Sequence, residues 1–340
     1  MDFIDNPLPG MLSPVVCADF DGEGPLSLDR LCRDLVEAQK ASWPDYRQGC
    51  DSLDGVKVRP IPCTGFSVRV QYNPRRIKSA LAKVGTKDVG ARPCFLCPAN
   101  LPEAQRGILY RKDYLILCNP MPVFPCHFTV SNIKHRSQTV EEHIGSFLAL
   151  TADLGNRWTV LYNGPRCGAS APDHLHFQII PSGNLPVEEE IGEEGRLTSV
   201  AAKDGIQVKM AKNMGREVII LEGKEPHALG DAFNAIVEAL KAAIGESQEP
   251  MMSLVSWYGE GVFRLILFPR AKHRPASFFA EGDARIAVSP AVIEMGGVLV
   301  TPMEADFHRL DRQSVENIYN EVSLDGGTTK AVFRNLVLPS

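Results

Sequence analysis

The 340-residue sequence lacks a long uninterrupted apolar run and lacks an excess of positive charge. No stretch reaches the roughly 18 apolar residues of a membrane-spanning helix, and the amino terminus has no cationic segment followed by an apolar one. A net charge of -5 provides no broad basic surface, which argues against nucleic acid as a partner. We therefore expect a cytoplasmic globular protein, without a membrane partner, that binds charged ligands at a local site.

Cysteine is absent from the second half of the chain, and the first half contains the odd number of nine. Without a secretion signal, this distribution favours reduced thiols over a disulfide framework. Only Cys94 and Cys97 have an informative spacing, because a two-residue gap lets both sulfur atoms reach one metal ion. Pro93 and Pro98 stiffen the turn that carries them. The alternative is a pair of reduced thiols in a turn, with no metal.

Hydrophobic periodicity predicts two halves of similar construction. We predict helices at 27–43, 139–154 and 227–244, and strands at 66–72, 112–119, 158–162, 174–180, 215–221, 252–257 and 262–268. The acidic segment 185–195 is predicted to be a solvated connection between the halves. If Pro269 is aligned with Pro181, Arg264 falls opposite His176, so a second copy would lack the histidines. The sequence alone leaves open whether this order reflects a duplication.

Two histidines and a glutamine alternate along the strand predicted at 174–180. His174, His176 and Gln178 should therefore project from one face. They follow the loop 163–170, whose glycines and short polar residues let backbone amides approach a phosphate closely. A lone histidine on a strand is usually structural, but this combination favours covalent catalysis on phosphorus, with His176 as the nucleophile.

The segment 163–178 resembles the active-site motif of the transferase branch of the histidine triad (HIT) superfamily, in which glutamine replaces the third histidine. This branch includes galactose-1-phosphate uridylyltransferases, dinucleoside tetraphosphate phosphorylases and GDP-hexose phosphorylases. The segment 94–100 resembles the metal-binding turn of the uridylyltransferases, and 289–297 resembles a carboxyl-terminal segment of the GDP-hexose phosphorylases. The resemblance implies an α+β fold of duplicated HIT-like domains, each with an antiparallel sheet and packed helices. We expect a catalytic half at 1–185 and a second half at 186–340.

The resemblance also assigns roles to single residues. His176 is the expected nucleophile, beside His174, and Gln178 is expected to stabilise the transition state by donating to a phosphate oxygen. Further substrate contacts are expected from the loop and from an upstream segment, at Asn163, Arg166, Gly168, Ala169, Ser170, Gln71, Asn73 and Arg76. For the arginines, an ion-paired surface role is the alternative.

The same resemblance nominates Cys94, Cys97, His127 and His174 as ligands of a structural zinc ion. His135 is the competing ligand, and iron is the alternative metal. An ion on His174 would anchor the strand that carries the nucleophile without touching the substrate.

These features together predict two-step nucleotidyl transfer through a nucleotidyl-histidine, from a nucleoside diphosphate sugar or a dinucleotide. The acceptor is phosphate, a sugar phosphate or water, and the glutamine favours the first two. A homodimer is expected by analogy. A nucleotide-binding regulator without turnover and a zinc-stabilised structural or interaction protein are the alternatives. The basic cluster 272–274 is predicted to be a solvated face rather than a contact across the cleft between the halves.

Overall fold

The computed structural model describes residues 12, 14–77, 92–334 and 336–339. Its strands are β1 (Val16–Phe20), β2 (Lys57–Pro62), β3 (Ser67–Tyr72), β4 (Gly107–Tyr110), β5 (Tyr114–Cys118), β6 (Phe128–Asn132), β7 (Trp158–Asn163), β8 (His176–Pro181), β9 (Leu197–Lys203), β10 (Ile206–Ala211), β11 (Ile219–Gly223), β12 (Met252–Gly259), β13 (Val262–Pro269) and β14 (Val298–Thr301). Its helices are α1 (Leu28–Ser42), α2 (Pro44–Asp51), α3 (Ile144–Leu154), α4 (Pro186–Glu190), α5 (Pro226–Ile244), α6 (Ala276–Phe279), α7 (Val292–Met295), α8 (Glu304–Arg309), α9 (Arg312–Val322) and α10 (Gly326–Arg334).

The main sheet has eleven strands in the order β1-β4-β5-β6-β8-β7-β12-β13-β11-β10-β9. Reading outward from the β7–β12 contact, β7, β8, β6, β5 and β4 on one side correspond to β12, β13, β11, β10 and β9 on the other. The helix α3 precedes β7, just as α5 precedes β12. This mirrored order is that of a duplicated antiparallel unit, so the predicted α+β fold with two HIT-like halves is confirmed.

The strand β8 shows why the two faces of the sheet differ. Phe177 and Ile179 point into the core formed with α1, α3 and α5, where Phe177 contacts the rings of Phe147 and Tyr162. Because successive side chains alternate along a strand, His176 and Gln178 point to the opposite face. Over the second half, that opposite face is covered by a layer containing α7, α9 and the three-stranded sheet β14-β3-β2.

The segment 185–195 is a correction to the sequence analysis. Pro186 and Val187 are buried in α4, and the carboxylate of Glu190 accepts the backbone N–H of Ser67 (2.9 Å). Residues 185–191 therefore pack against the small sheet, whereas 192–195 are exposed as predicted. The acidic composition did not reveal the first part, because Glu190 has a buried partner. The domain boundary at 185 stays a prediction, although β14 pairs in parallel with β3 and thus connects the two sides of it.

Among the described residues, none of the helices has both the length and the apolar character needed to cross a bilayer.

Candidate active site

A cavity of about 370 Å³ lies where β8 meets the second half of the chain. Its lining includes apolar side chains from both halves, among them Phe95, Leu96, Leu101, Leu117, Pro120, Met121, Val292, Ile293 and Val300. It also includes polar residues from both halves, among them Arg76, Asn163, Ser170, His176, Gln178, His273, Arg274, Ser289 and Glu294. Such a pocket suits a ligand that has a flat apolar end and an anionic end.

The tautomer of His176 is fixed by its backbone contact. Its Nδ1 lies 2.8 Å from the carbonyl oxygen of His174, and a carbonyl can only accept, so Nδ1 must carry the proton. Burial lowers the pKa of His176, which favours the neutral ring. The lone pair therefore resides on Nε2 of a side chain that lines the cavity.

Gln138 holds the strand end and the loop together. Its Oε1 accepts the backbone N–H of His176 (2.7 Å), and its Nε2 donates to the carbonyl oxygens of Asn163 (2.9 Å) and His176 (3.0 Å). Gln138 is 1% exposed, so these bonds are shielded from water. Sequence reasoning missed it, because a single glutamine before a helix has no distinguishing pattern.

The loop 163–170 is tightly packed against the second half. Gly168 has φ +119°, and a Cβ added there would lie 2.6 Å from the Cβ of Ala291. The side chain oxygen of Asn163 accepts the backbone N–H of Val292 (2.7 Å). Glycine is therefore required at 168 for both its conformation and its lack of a side chain. Gly168 and Ser170 line the cavity, whereas Ala169 is buried outside the lining.

His127 is placed beside the catalytic motif. Its Nε2 lies 2.7 Å from Oε1 of Gln178, and its Nδ1 lies 3.3 Å from the backbone nitrogen of Val123. Burial and the nearby guanidinium of Arg76 lower the pKa of His127 to about 4. The nomination of His127 as a metal ligand is therefore corrected, because its ring nitrogens are already occupied by polar partners within the motif.

The residues that the structure groups as possible metal ligands are Cys94, Cys97, His135 and His174, with ligand atoms within 4.8 Å of one another. Nδ1 of His174 lies 3.2 Å from Sγ of Cys94 and 3.6 Å from Sγ of Cys97, and Nδ1 of His135 lies 3.3 Å from Sγ of Cys97. Tetrahedral zinc with sulfur and nitrogen ligands has ligand separations of about 3.3–3.8 Å, and these three contacts are close to that range, so the donor set suits the ion. His135 thus replaces His127 as the fourth member.

The ring of His174 is oriented for ligation by a second contact. Its Nε2 lies 2.8 Å from the carbonyl oxygen of Asn132, which can only accept, so Nδ1 holds the lone pair that faces the two sulfur atoms. Nε2 of His135 lies 3.6 Å from the carboxylate of Asp173, the residue before His174. A bound metal would therefore hold His174, two residues before β8 begins at His176, and would have a structural purpose.

Besides Ala169, three expected substrate contacts lie away from the cavity lining. The guanidinium of Arg166 pairs with Glu246 and donates to the carbonyl oxygen of Glu249 (3.0 Å). Arg166 therefore has the ion-paired role that was the alternative to a substrate contact. Gln71 is buried and donates to the carbonyl oxygen of Val123 (3.0 Å). Asn73 is also buried, 1% exposed, and is absent from the lining. Arg76 does line the cavity, as expected.

The basic cluster 272–274 is divided by the structure. Lys272 is exposed and pairs with Glu321, as predicted for a solvated face. His273 and Arg274 instead line the cavity, and Ser289 bridges them, accepting from Nε of Arg274 (2.8 Å) and lying 3.1 Å from Nε2 of His273. Charge runs alone could not distinguish the two outcomes, because only the packing of the second half turns two of the three residues inward.

Comparisons with known proteins agree with this geometry. The model of a domain of unknown function (DUF4922) matches residues 35–181, and that of the GDPGP1-like C-terminal domain matches residues 198–337. Crystal structures of yeast Ap4A phosphorylase Apa2 superpose on 87% of this chain and 94% of that one, with a TM-score of 0.55 and 14% identity. The complex with Ap4A gives the same TM-score and identity and covers 97% of the yeast chain. No curated protein sequence matches.

The resemblance to the histidine triad transferases is confirmed. The structural similarity establishes the fold, and the family match for the second half agrees with the resemblance of 289–297 to the GDP-hexose phosphorylases. Together the two family matches leave 182–197 between them, an interval that contains the whole of α4.

Proposed function

We propose that this chain is a nucleotidyltransferase or phosphorylase that works through a nucleotidyl-histidine on His176. The main support for the proposal is the fixed tautomer of that ring. Nδ1 donates its proton to the carbonyl oxygen of His174 (2.8 Å), so the lone pair is on Nε2, and the side chain lines the cavity. A buried neutral imidazole in this state is a competent nucleophile toward phosphorus.

The first step forms a bond between Nε2 of His176 and a phosphorus atom, and it breaks the bond from that phosphorus to its bridging oxygen. The leaving group is a sugar phosphate when the substrate is a nucleoside diphosphate sugar, and the other nucleotide when the substrate is a dinucleotide. In the second step an oxygen of a phosphate-bearing acceptor attacks the same phosphorus and releases Nε2. Gln178, Arg76 and Arg274 line the cavity. The two guanidinium groups can balance the negative charge of the phosphates, and the carboxamide of Gln178 can donate a hydrogen bond to a phosphate oxygen.

The mixed lining of the cavity favours a nucleotide as substrate. Its apolar side chains suit a base, while its polar side chains, which include His176 and two arginines, suit phosphates. The yeast structures were solved in complex with Ap4A and with AMP, which supports a dinucleotide or nucleotide substrate for the shared fold. Inorganic phosphate as acceptor would make the enzyme a phosphorylase, and a sugar phosphate would make it a uridylyl-, guanylyl- or adenylyltransferase.

The test is to trap the covalent intermediate. Wild-type protein is mixed with UDP-, GDP- and ADP-sugars and with Ap4A, quenched in alkali, and examined by mass spectrometry for an acid-labile nucleotidyl adduct. We expect an adduct that phosphate or a sugar phosphate removes, and that is absent from His176→Ala. His227→Ala is the matched control, since that side chain is 92% exposed on α5 and should leave the adduct unchanged.

Two outcomes would support the alternatives instead. Nucleotide binding without any adduct or turnover would indicate a regulator. The absence of any thermal shift with nucleotides, together with unfolding on metal removal, would indicate a zinc-stabilised structural protein.

A further inference from the structure

His127 is fixed in one tautomer by two neighbours. The backbone N–H of Val123 points at Nδ1 (3.3 Å) and can only donate, so Nδ1 holds the lone pair and Nε2 carries the proton. That proton lies between Nε2 and Oε1 of Gln178, which are 2.7 Å apart. His127 therefore donates to Gln178, and the carboxamide oxygen is committed to this bond.

We propose that His127 is a positioning residue that keeps the carboxamide nitrogen of Gln178 facing the cavity as a hydrogen-bond donor. This inference rests on the proposed function, because the donor would act on the oxygens of the phosphoryl group under attack. A carboxamide has two ends with opposite hydrogen-bonding character, and the wrong end would present an oxygen to an anion. Glutamine needs such an orienting partner, whereas a protonated ring would donate through either nitrogen.

The backbone around His127 also holds the ring in place. Cys126, the preceding residue, has φ +59°, a conformation that costs free energy for a residue with a side chain. The carbonyl oxygen of His127 accepts the backbone N–H of Asn119 (2.9 Å), at the point where β6 begins. The ring is 1% exposed, and burial and the guanidinium of Arg76 lower its pKa to about 4, so it stays neutral. The ring thus has one position and one protonation state at neutral pH.

The kinetic test compares His127→Phe with His127→Gln. Loss of the donor frees the carboxamide to turn, and a donor aimed at transition-state charge is worth about 10²–10³ in kcat, so His127→Phe should lower kcat by about 10- to 100-fold. KM should change by less than about threefold, because ground-state binding uses other groups. His127→Gln supplies a new N–H donor and should recover part of the loss. Both variants should retain the metal content of the wild type.

A double-mutant cycle separates positioning from a direct role. If His127 acts only through Gln178, His127→Phe should have no further effect on kcat in a Gln178→Ala background. Additive losses would overturn the inference, as would an unchanged kcat in His127→Phe.

A measurement without turnover completes the test. Long-range ¹⁵N–¹H correlation spectra of the histidine rings should show the Nε2–H tautomer for His127 and the Nδ1–H tautomer for His176. An Nδ1–H tautomer at His127 would refute the positioning role. A wild-type protein that forms no nucleotidyl adduct would refute the proposed function, while the tautomer of His127 would still report on the hydrogen bond.

Discussion

Replacement of Gly168 by alanine should lower both stability and activity, and the structure supplies a matched control. Gly168 has φ +119°, and the added Cβ would lie 2.6 Å from Cβ and 2.9 Å from Cα of Ala291, and 3.2 Å from Oδ1 of Asn163. Gly261, in the turn between β12 and β13, has φ +76° and has no atom within 4 Å of the added Cβ. Both substitutions therefore carry a backbone cost for a positive φ, which is at least as large at Gly168, and only Gly168→Ala adds a steric cost.

The magnitudes follow from these distances. The left-handed conformation costs about 1–2 kcal/mol for a residue with a side chain, so Gly261→Ala should lose about that much free energy of unfolding. Gly168→Ala should lose a further ~1–3 kcal/mol, the usual range for overpacking a rigid site. The loop can relieve the contact only by moving away from Ala291, which would disturb Asn163 and the cavity wall at Ser170. Adduct formation should therefore fall at least tenfold, a loss of ~1.4 kcal/mol in transition-state stabilisation.

Urea unfolding measures the stability of the two variants, and the adduct assay measures their activity. A second substitution, Ala291→Gly, removes the nearer clashing atom and should restore part of the lost stability in the Gly168→Ala background. Equal losses for Gly168→Ala and Gly261→Ala would refute the reasoning, since they would show that the loop absorbs the contact without cost.

Two further predictions concern the metal group and a buried carboxylate. Cys94→Ser and His135→Ala should each lower the metal content, measured by elemental analysis, and the Tm, measured by thermal unfolding. His127→Gln is the control and should leave the metal content unchanged. Loss of metal from His127→Gln alone would contradict the assignment of His135 to the metal group. Burial raises the pKa of Glu249 to about 7, against an ordinary value near 4.5. The folded state therefore binds the proton more tightly than the unfolded state does. Proton binding at Glu249 thus stabilises the fold at low pH, and this contribution is lost as pH rises through 7. The unfolding free energy of the wild type should therefore fall relative to Glu249→Gln by up to ~3 kcal/mol between about pH 5 and pH 8, and parallel pH profiles would count against it.

The elements with strong periodicity were predictable from the sequence, and the edge elements were not. The helix predicted at 227–244 is α5 at Pro226–Ile244, because its apolar stripe faces the core along its whole length. The strand pair predicted at 252–257 and 262–268 extends by only one or two residues in the structure. By contrast, β9 alternates poorly, since it lies at the sheet edge and none of its residues is buried. Strand β14 pairs with β3, which is distant in the chain, and local patterns cannot indicate such a partner.

The site was predictable where its residues share one short segment. The alternation of His174, His176 and Gln178 is a local property of a strand, and the structure places the last two on the cavity wall. Spacing also identified both cysteines, but it could not choose between His127 and His135. That choice depends on which ring is close to the sulfur atoms in the folded chain. His135 follows β6 and reaches them, whereas His127 precedes β6 and contacts Gln178 instead.

The sheet is duplicated, but its two halves contribute different residues to this site. In the second half, Arg264 occupies the place in β13 that His176 has in β8, five residues before the terminal proline, and it lies 3.4 Å from Glu222 on the neighbouring strand. The second copy therefore has an ion pair where the first has the proposed nucleophile. Its own contribution comes from the segment that follows β13, which places Arg274 on the cavity wall and packs Ala291 against the loop at Gly168. Because that segment both lines the cavity and limits the loop, residues of both halves together form the candidate site.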